Sequence, residues 1–242
     1  MPELHALVAA AGRGTRAGLP YPKTLFPVLG KPILIRIAEL LDAYDSQPTV
    51  IVSPEGEDPV RECLQQHGRI AHLVVQPEPR GMGDAVLHFA HSPAYPDSEN
   101  VLLVWGDIPF IQPETLRGLV QAHEDGGNDF TFVTRNVESA YTVVARDAAG
   151  VVVGVVESRE EGTERLQAGE RDIGLFVFRK TPIIEMLQQD LAGKYGKLTG
   201  EHGFLYVIGH LARLGFKVEA LPIATALDLV SLNSLRDIDG YI

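Results

Sequence analysis

Two regimes of apolar patterning follow one another along the chain. Over the first 110 residues, LHALVAAA (4–11), TVIVSP (49–54), AHLVVQ (71–76) and VLLVW (101–105) have the length and composition of strands. VLLVW is apolar at every position, the pattern of a central strand buried on both faces. Between these runs, PILIRIAELLDAY (32–44), PVRECLQQHG (59–68) and GDAVLHFAH (83–91) space their apolar residues helically. Pro32 and Pro59 suit first turns, and Gly68 suits a stop. Strand and helix in alternation predict a parallel, doubly wound sheet.

Beyond residue 110 the pattern turns β-rich. PETLRGLVQAHEDGG (113–127) reads as a helix ended by glycines. DFTFVTRN (129–136), AYTVVARDAAGVVVGVVES (140–158) and DIGLFVFR (172–179) read as strands, with a hairpin turn around Asp147 to Gly150. The polar stretch 159–170 predicts a mobile loop. TPIIEMLQQDLA (181–192) and EHGFLYVIGHLARLG (201–215) predict helices, and KVEALPI (217–223) a last strand. No repeat or linker is visible, so one domain is expected over 1–242, with a nucleotide-binding half (1–110) and an acceptor-binding half (111–242).

Composition narrows the function classes. The 242 residues carry 21 basic and 32 acidic side chains, a net charge of −11, which argues against general binding of nucleic acid. No apolar run approaches the roughly 20 residues of a membrane span, and the N-terminus lacks the basic region of a signal peptide. One cysteine, Cys63, permits neither a disulfide framework nor a CxxC zinc site, and a cytoplasmic setting is the simplest expectation. The eight histidines read as surface or core residues, His202 being the one set apart. Monomer and homo-oligomer both remain open.

Against that acidic background, residues 4–38 hold Arg13, Arg16, Lys23, Lys31 and Arg36 and no Asp or Glu. Residues 12–17, GRGTRA, match the dinucleotide pattern GxGxxG/A, but that motif needs a helix directly behind it. Pro20 and Pro22 stand there instead, and a proline inside a helix costs about 3 kcal/mol. The P-loop pattern GxxxxGK[ST] is absent. What remains is a glycine loop at the end of the first strand whose backbone N–H groups approach an anion while Arg13, Arg16 and Lys23 neutralise it. VLLVWGDIPF (101–110) ends a second strand in Gly106-Asp107, a carboxylate suited to a hard cation such as Mg²⁺ near phosphates.

The run AAAGRGTR…PK resembles the signature of the sugar-1-phosphate nucleotidyltransferases, the NDP-sugar pyrophosphorylases. The resemblance is strongest to the uridylyltransferase domain of the bifunctional bacterial enzymes that make UDP-N-acetylglucosamine, without their acetyltransferase domain. It implies an α/β, three-layer Rossmann-like (GT-A-like) fold with a mostly parallel central sheet and a β-rich acceptor-side insertion. It implies transfer of a nucleoside monophosphate from an NTP, UTP favoured, to a phosphorylated small molecule such as a sugar 1-phosphate, with release of pyrophosphate and with Mg²⁺ as cofactor. A cytidylyltransferase for a polyol or choline phosphate is the alternative within the class, and a non-catalytic nucleotide-sugar sensor the alternative outside it.

Residue by residue, the resemblance gives Arg13, Arg16 and Lys23 the catalytic charges. Ala10, Ala11, Gly12, Gly14, Thr15, Gln76, Gly81, Met82 and Gly106 fall at nucleotide-binding positions, with Met82 where threonine is usual. Asp107 and Asn233 fall at the metal positions. Asp228 is the alternative to Asn233, which can also be read as the cap of a helix begun by SLRDI. On the acceptor side, Tyr141, Glu157 and Asp172 fall at binding positions. There Tyr141-Thr142-Val143 replaces Tyr-Gly-Arg, Asp172-Ile173-Gly174 replaces Asn-Thr-Gly, and Gly200-Glu201-His202-Gly203-Phe204 replaces the start of GEYYITD. These departures imply that the reaction class is kept and the acceptor changed.

Overall fold

A computed structural model describes residues 4–12, 14 and 18–241. They pack as two compact units, one drawn from segments 1–79, 88–113 and 226–242, the other from 80–87 and 114–225.

The first unit is a parallel sheet with helices between its strands. Its strands and helices run β1 (Leu4–Ala9), β2 (Pro27–Val28), β3 (Lys31–Pro32), α1 (Ile33–Leu41), β4 (Thr49–Val52), α2 (Glu57–Gln66), β5 (His72–Val75) and β6 (Asn100–Trp105). β1 pairs in parallel with both β4 and β6, and β4 with β5, giving the order β5-β4-β1-β6. Val101 to Val104 are fully buried, as an uninterrupted apolar run requires. α1 turns Ile33, Leu34, Ile37 and Leu41 into the core, each such side chain contributing roughly 1.5–3 kcal/mol of burial. Pro32 stands just before α1 as its N-cap rather than inside the first turn. α2 starts two residues ahead of Pro59, behind a 3₁₀ turn, Pro54–Gly56, whose N-cap, Ser53, accepts a hydrogen bond from the Gly56 N–H through its hydroxyl (3.1 Å).

The second unit contains α3 (Met82–Leu87), α4 (Pro113–Gly126, all but its first residue), β7 (Phe130–Val137), β8 (Thr142–Arg146), β9 (Val152–Glu157), β10 (Gly169–Arg179), α5 (Lys180–Gln188), α6 (Tyr206–Arg213) and β11 (Val218–Leu221). β7 pairs antiparallel with β10 and parallel with β11, and β8 with β9 forms the expected hairpin. Phe130, Phe132, Phe176, Phe178 and Phe204 form one buried cluster with ring centroids 5.3–6.2 Å apart. The fold class is the expected one, α/β and Rossmann-like, with largely parallel pairing and added β-rich elements.

Several boundaries differ from the sequence expectations. The helix expected over 83–91 is α-helical only through Leu87 and continues as a 3₁₀ turn, His88–His91. β10 begins at Gly169, not Asp172, because Gly169 to Asp172 pair with Val137 to Thr134 before a register shift toward Phe176. The loop over 159–170 is tied down by an isolated bridge between Ala140 and Leu166, whose N–H and C=O groups bond reciprocally. The helix expected over 201–215 begins only at Tyr206. Residues 201–203 are extended because their backbone groups bond elsewhere: His202 N–H donates to Arg80 C=O (2.6 Å), His202 C=O accepts from Gly83 N–H (3.0 Å) and Gly203 N–H donates to Lys194 C=O (2.8 Å).

Candidate functional site

In the first unit the glycine loop leaves β1 and folds back on itself. Ala10, buried, donates its N–H to Ile51 C=O (2.9 Å), carrying the β1–β4 ladder to the edge of the loop, where Ala11 is half-buried. Gly14 has φ of 73°, and a Cβ there would overlap the Tyr21 carbonyl oxygen, so only glycine fits. Leu19 N–H reaches Gly14 C=O (3.1 Å) and Lys23 N–H reaches Gly12 C=O (3.4 Å). No helix begins between described residues 18 and 22; Pro22 instead opens a 3₁₀ turn over Lys23–Leu25. Arg13, Thr15 and Arg16 lie outside the described residues.

The turn sets Lys23 against the end of β6. Lys23 Nζ lies 3.7 Å from Asp107 Oδ2, with both side chains mostly buried. Gly106 makes this approach feasible: its N–H donates to Ala9 C=O (2.9 Å), and a Cβ there would stand 2.8 Å from that oxygen and 3.0 Å from Ala10 Cα. Asp107 C=O in turn accepts from Leu232 N–H (2.9 Å), which fixes the C-terminal segment one residue before Asn233. Two of the five basic residues of 4–38 serve the fold instead. Lys31 Nζ bonds the Glu39 carboxylate (2.7 and 2.8 Å), and Arg36 donates to Val28 C=O (2.8 and 3.1 Å).

Asn233 is exposed, and its Nδ2 donates to Ser231 Oγ (2.9 Å). It does not cap the helix that follows. That helix is a 3₁₀ turn, Leu235–Tyr241, and the reciprocal bonds of Ser234 and Asp237 close its start (Ser234 N–H to Asp237 Oδ2, 2.6 Å). Asp228, fully buried, accepts from Gln112 N–H (2.7 Å) and so braces the loop after β6. Gln76, buried at the end of β5, donates its N–H to Val52 C=O (2.8 Å).

In the second unit, Gly81 leads into α3, which begins at Met82, and His202 clamps this stretch from both sides through Arg80 and Gly83. Gly81 has φ of 108°, and a Cβ there would sit 2.5 Å from His202 O. At Gly83 a Cβ would overlap Gly203 O and lie 2.7 Å from the His202 ring. His202 is buried, its imidazole pKa lowered by that burial and by Lys194, against a smaller opposing effect of Asp84. The sequence set His202 apart without giving it a task; its backbone bonds to Arg80 and Gly83 supply one.

The acceptor-side candidates converge within this unit. Thr142 and Glu157 are cross-strand partners in the β8–β9 hairpin, and Thr142 Oγ1 donates to Asp172 Oδ1. Asp172 is buried and also accepts from Gly174 N–H (3.1 Å); burial pushes its carboxyl pKa up, while Thr142, Arg171 and the backbone bonds oppose the rise. Burial likewise raises Glu157, opposed by Arg159, whose Nε donates to it (3.0 Å). Arg159 also bonds Glu201 (3.2 Å) and approaches Glu160 (3.9 Å). Tyr141 C=O accepts from Ser158 N–H (2.7 Å), and its ring is covered by Arg165. Sequence reasoning missed Arg159 and Arg165, since neither stands in a motif.

A glycine loop leaving the first of several parallel strands, in an α/β Rossmann-like fold with β-rich additions, is the architecture of GT-A-like nucleotidyltransferases. The chain belongs to the family of MobA-like NTP transferase domains, whose sequence model matches residues 6–193. It is similar to the Bifunctional protein GlmU of Alkalilimnicola ehrlichii, 31% identical over 233 residues covering 95% of this chain and 48% of that protein. The GlmU of Leifsonia xyli is 31% identical over 223 residues, covering 91% of this chain and 45% of that protein. The GlmU of Thermobifida fusca is 33% identical over 177 residues, covering 71% and 37%. The chain thus spans about half or less of the length of these curated relatives.

Proposed function

We propose that this NTP transferase moves a nucleoside monophosphate from an NTP, UTP favoured, onto a phosphorylated small-molecule acceptor of the sugar 1-phosphate class. An acceptor phosphate oxygen forms the new bond to the α-phosphorus in line, and the bond to the bridging oxygen of the departing pyrophosphate breaks. No side-chain nucleophile is needed. The observation that carries the reading is the approach of Lys23 Nζ to Asp107 at the end of β6, beside a loop that only glycine can form at residue 14.

On this reading Lys23 neutralises the α-phosphate and the incoming acceptor phosphate, two anions that otherwise repel. Arg13 and Arg16 take the β- and γ-phosphates. The donor set suits Mg²⁺: Asp107 offers a carboxylate and Asn233 an amide oxygen, both hard ligands. Among the described residues no three His, Cys, Asp or Glu side chains gather to cage a metal. Mg²⁺ is ordinarily held that way, by one or two protein oxygens plus substrate phosphates and water. Bound there, it would supply charge neutralisation at the phosphates. Gln76, with an amide that both donates and accepts, Gly81 and Met82 read the base. Tyr141, Glu157 and Asp172 serve the acceptor.

The test is pyrophosphate release with each NTP in turn, with Mg²⁺ or EDTA, against a panel of sugar 1-phosphates and other phosphorylated alcohols. Release that needs one NTP, one acceptor class and the metal is the expected result. Tight binding of nucleotide-sugars with no release from any pair would make the chain a sensor and overturn the proposal.

A further inference from the structure

One guanidinium in the second unit answers to three carboxylates. Arg159 Nε donates to Glu157 Oε2 (3.0 Å), its Nη1 donates to Glu201 Oε2 (3.2 Å), and Nε lies 3.9 Å from Glu160 Oε1. The three are not equivalent. The Glu201 side chain is 40% exposed and that of Glu157 only 18%. Glu160 has other partners: its carboxylate accepts from Thr199 Oγ1 (3.2 Å) and Leu198 N–H (3.4 Å). Glu157 has Arg159 alone, and its Oε1 takes no hydrogen bond among the described residues. A mostly buried carboxylate ordinarily collects several donors. One oxygen held and one left over fits a group that completes its bonding with a ligand.

Strand geometry aims that carboxylate. Glu157 ends β9 directly opposite Thr142 on β8, and such partners project to the same face. Thr142 in turn donates to Asp172 on β10. Burial, Asp172 and Glu160 all favour the protonated form of Glu157, whereas Arg159 opposes them by its charge and its hydrogen bond. Arg159 is itself held from the far side. Glu201 fastens Nη1 from the segment before α6, and that segment is fixed by the Gly196 N–H bond to Glu201 C=O (2.9 Å) and by the Tyr195–His202 bridge. The guanidinium is thus anchored at one nitrogen and presents another to Glu157.

We propose that Arg159 is a positioning residue for the acceptor: it fixes the Glu157 carboxylate through Oε2 and keeps it ionised, leaving Oε1 to accept a hydrogen bond from an acceptor hydroxyl. The proposal rests on the transferase reading and on the acceptor role given there to Glu157. Arg159 acts through Glu157, and protonation of that carboxylate would turn part of the acceptor into a donor.

The experiment measures calorimetric affinity of the full chain for glucose 1-phosphate, N-acetylglucosamine 1-phosphate and glycerol 3-phosphate, and pyrophosphate release with the same three, from about pH 5 to about pH 8. Wild type is compared with Arg159→Gln, Arg159→Lys, Glu157→Gln and the double variant. For the acceptor that wild type binds best, Arg159→Gln should weaken binding and raise the acceptor KM roughly tenfold, with kcat within about threefold of wild type. On acidification its kcat/KM for the acceptor should begin to fall at a higher pH than in wild type, because Glu157 has lost the charge that keeps it ionised. The acceptor phosphate titrates alike in every comparison, so the difference between proteins reports Glu157. Arg159→Lys restores a positive charge without the two-point geometry. It should return the acid limb toward wild type while the KM stays raised. In the Glu157→Gln background, Arg159→Gln should add less than about twofold.

Superimposed pH profiles with an unchanged KM overturn the proposal. Losses that add fully in the double variant also overturn it, by reducing Arg159 to a structural tie. Should Arg159→Gln not fold, Arg159→Lys decides alone, and an acceptor KM equal to that of wild type overturns the proposal. Release by wild type with no dependence on Arg159 removes the positioning role and leaves the transferase. Acceptor binding that depends on Arg159 only while Glu157 is present, with no release from any NTP, removes the transferase and leaves the positioning role. No binding of any of the three phosphates removes both.

Discussion

Acid sensitivity of the second unit follows from one buried histidine. His123 lies on α4 and is 4% exposed, with Nδ1 2.9 Å from Thr131 Oγ1. The same hydroxyl accepts from Asn128 Nδ2 (3.0 Å), which leaves its single proton for His123 Nδ1 and makes the imidazole a neutral acceptor. Burial lowers the His123 pKa from 6.5 to about 4; Asp129 opposes the shift and Arg179 adds to it. The folded state therefore binds fewer protons than the unfolded state between those values. Stability is intact above the unfolded pKa, falls as the pH drops below it, and stops falling below the folded pKa. The full cost is roughly 3 kcal/mol, of which about 2 kcal/mol appears between pH 7 and pH 5.

Glu157 and Asp172 titrate with the opposite sign, because a carboxyl whose pKa is raised by burial gains stability on protonation. The wild-type profile alone therefore does not isolate the histidine, and the comparison with His123→Gln does. Urea unfolding followed by far-ultraviolet circular dichroism at pH 7 and pH 5 should show wild type losing about 2 kcal/mol more than the variant over that interval. Parallel profiles for the two proteins would refute the reasoning.

Three other outcomes are expected. Lys23→Ala and Asp107→Ala should each cut kcat for pyrophosphate release by roughly 10²–10³, the scale of losing one preorganised charge, and Asp107→Ala should also lower the unfolding midpoint, since it takes from the mostly buried Lys23 its neighbouring carboxylate. Near-normal turnover in either would remove its assigned role. Gly106→Ala should destabilise by about 1–3 kcal/mol in urea, since its Cβ meets the backbone at the ends of β1 and β6, where no side chain can give way. Thr142→Val should cost about 1–3 kcal/mol, because it takes from the buried Asp172 its one side-chain hydrogen bond among the described residues, and an unfolding curve matching wild type would deny that brace.

Legibility in the sequence tracked how local the causes were. β6 could be read because VLLVW is apolar throughout, and the β8–β9 hairpin because Asp147 to Gly150 carries its own turn chemistry: Asp147 Oδ1 accepts from Ala149 and Val151 N–H (both 2.9 Å). The extended stretch 201–203 could not be read, since the groups that outbid a helix there belong to Arg80 and Gly83, far away in sequence. Candidate residues were legible by type: a glycine loop, a lysine behind prolines, an aspartate ending a buried strand. Their partners were not. Nothing in the order of residues says that Lys23 meets Asp107, that Lys31 and Arg36 are taken up by Glu39 and Val28, or that Arg171 faces Arg135 across a ladder.

The pairing of Lys23 with Asp107 bears on how an acidic protein can keep a phosphate site ready. A mostly buried lysine with no counter-charge would be costly, and one locked in a short pair would be slow to exchange partners. At 3.7 Å the pair is longer than the roughly 2.7–2.9 Å of a charge-assisted hydrogen bond, so Asp107 neutralises Lys23 without a tight bond to break. On the transferase reading, substrate brings phosphate to Lys23 and a cation to Asp107 together. Each group then exchanges one opposite charge for another, and neither stands unpaired in low dielectric along the way.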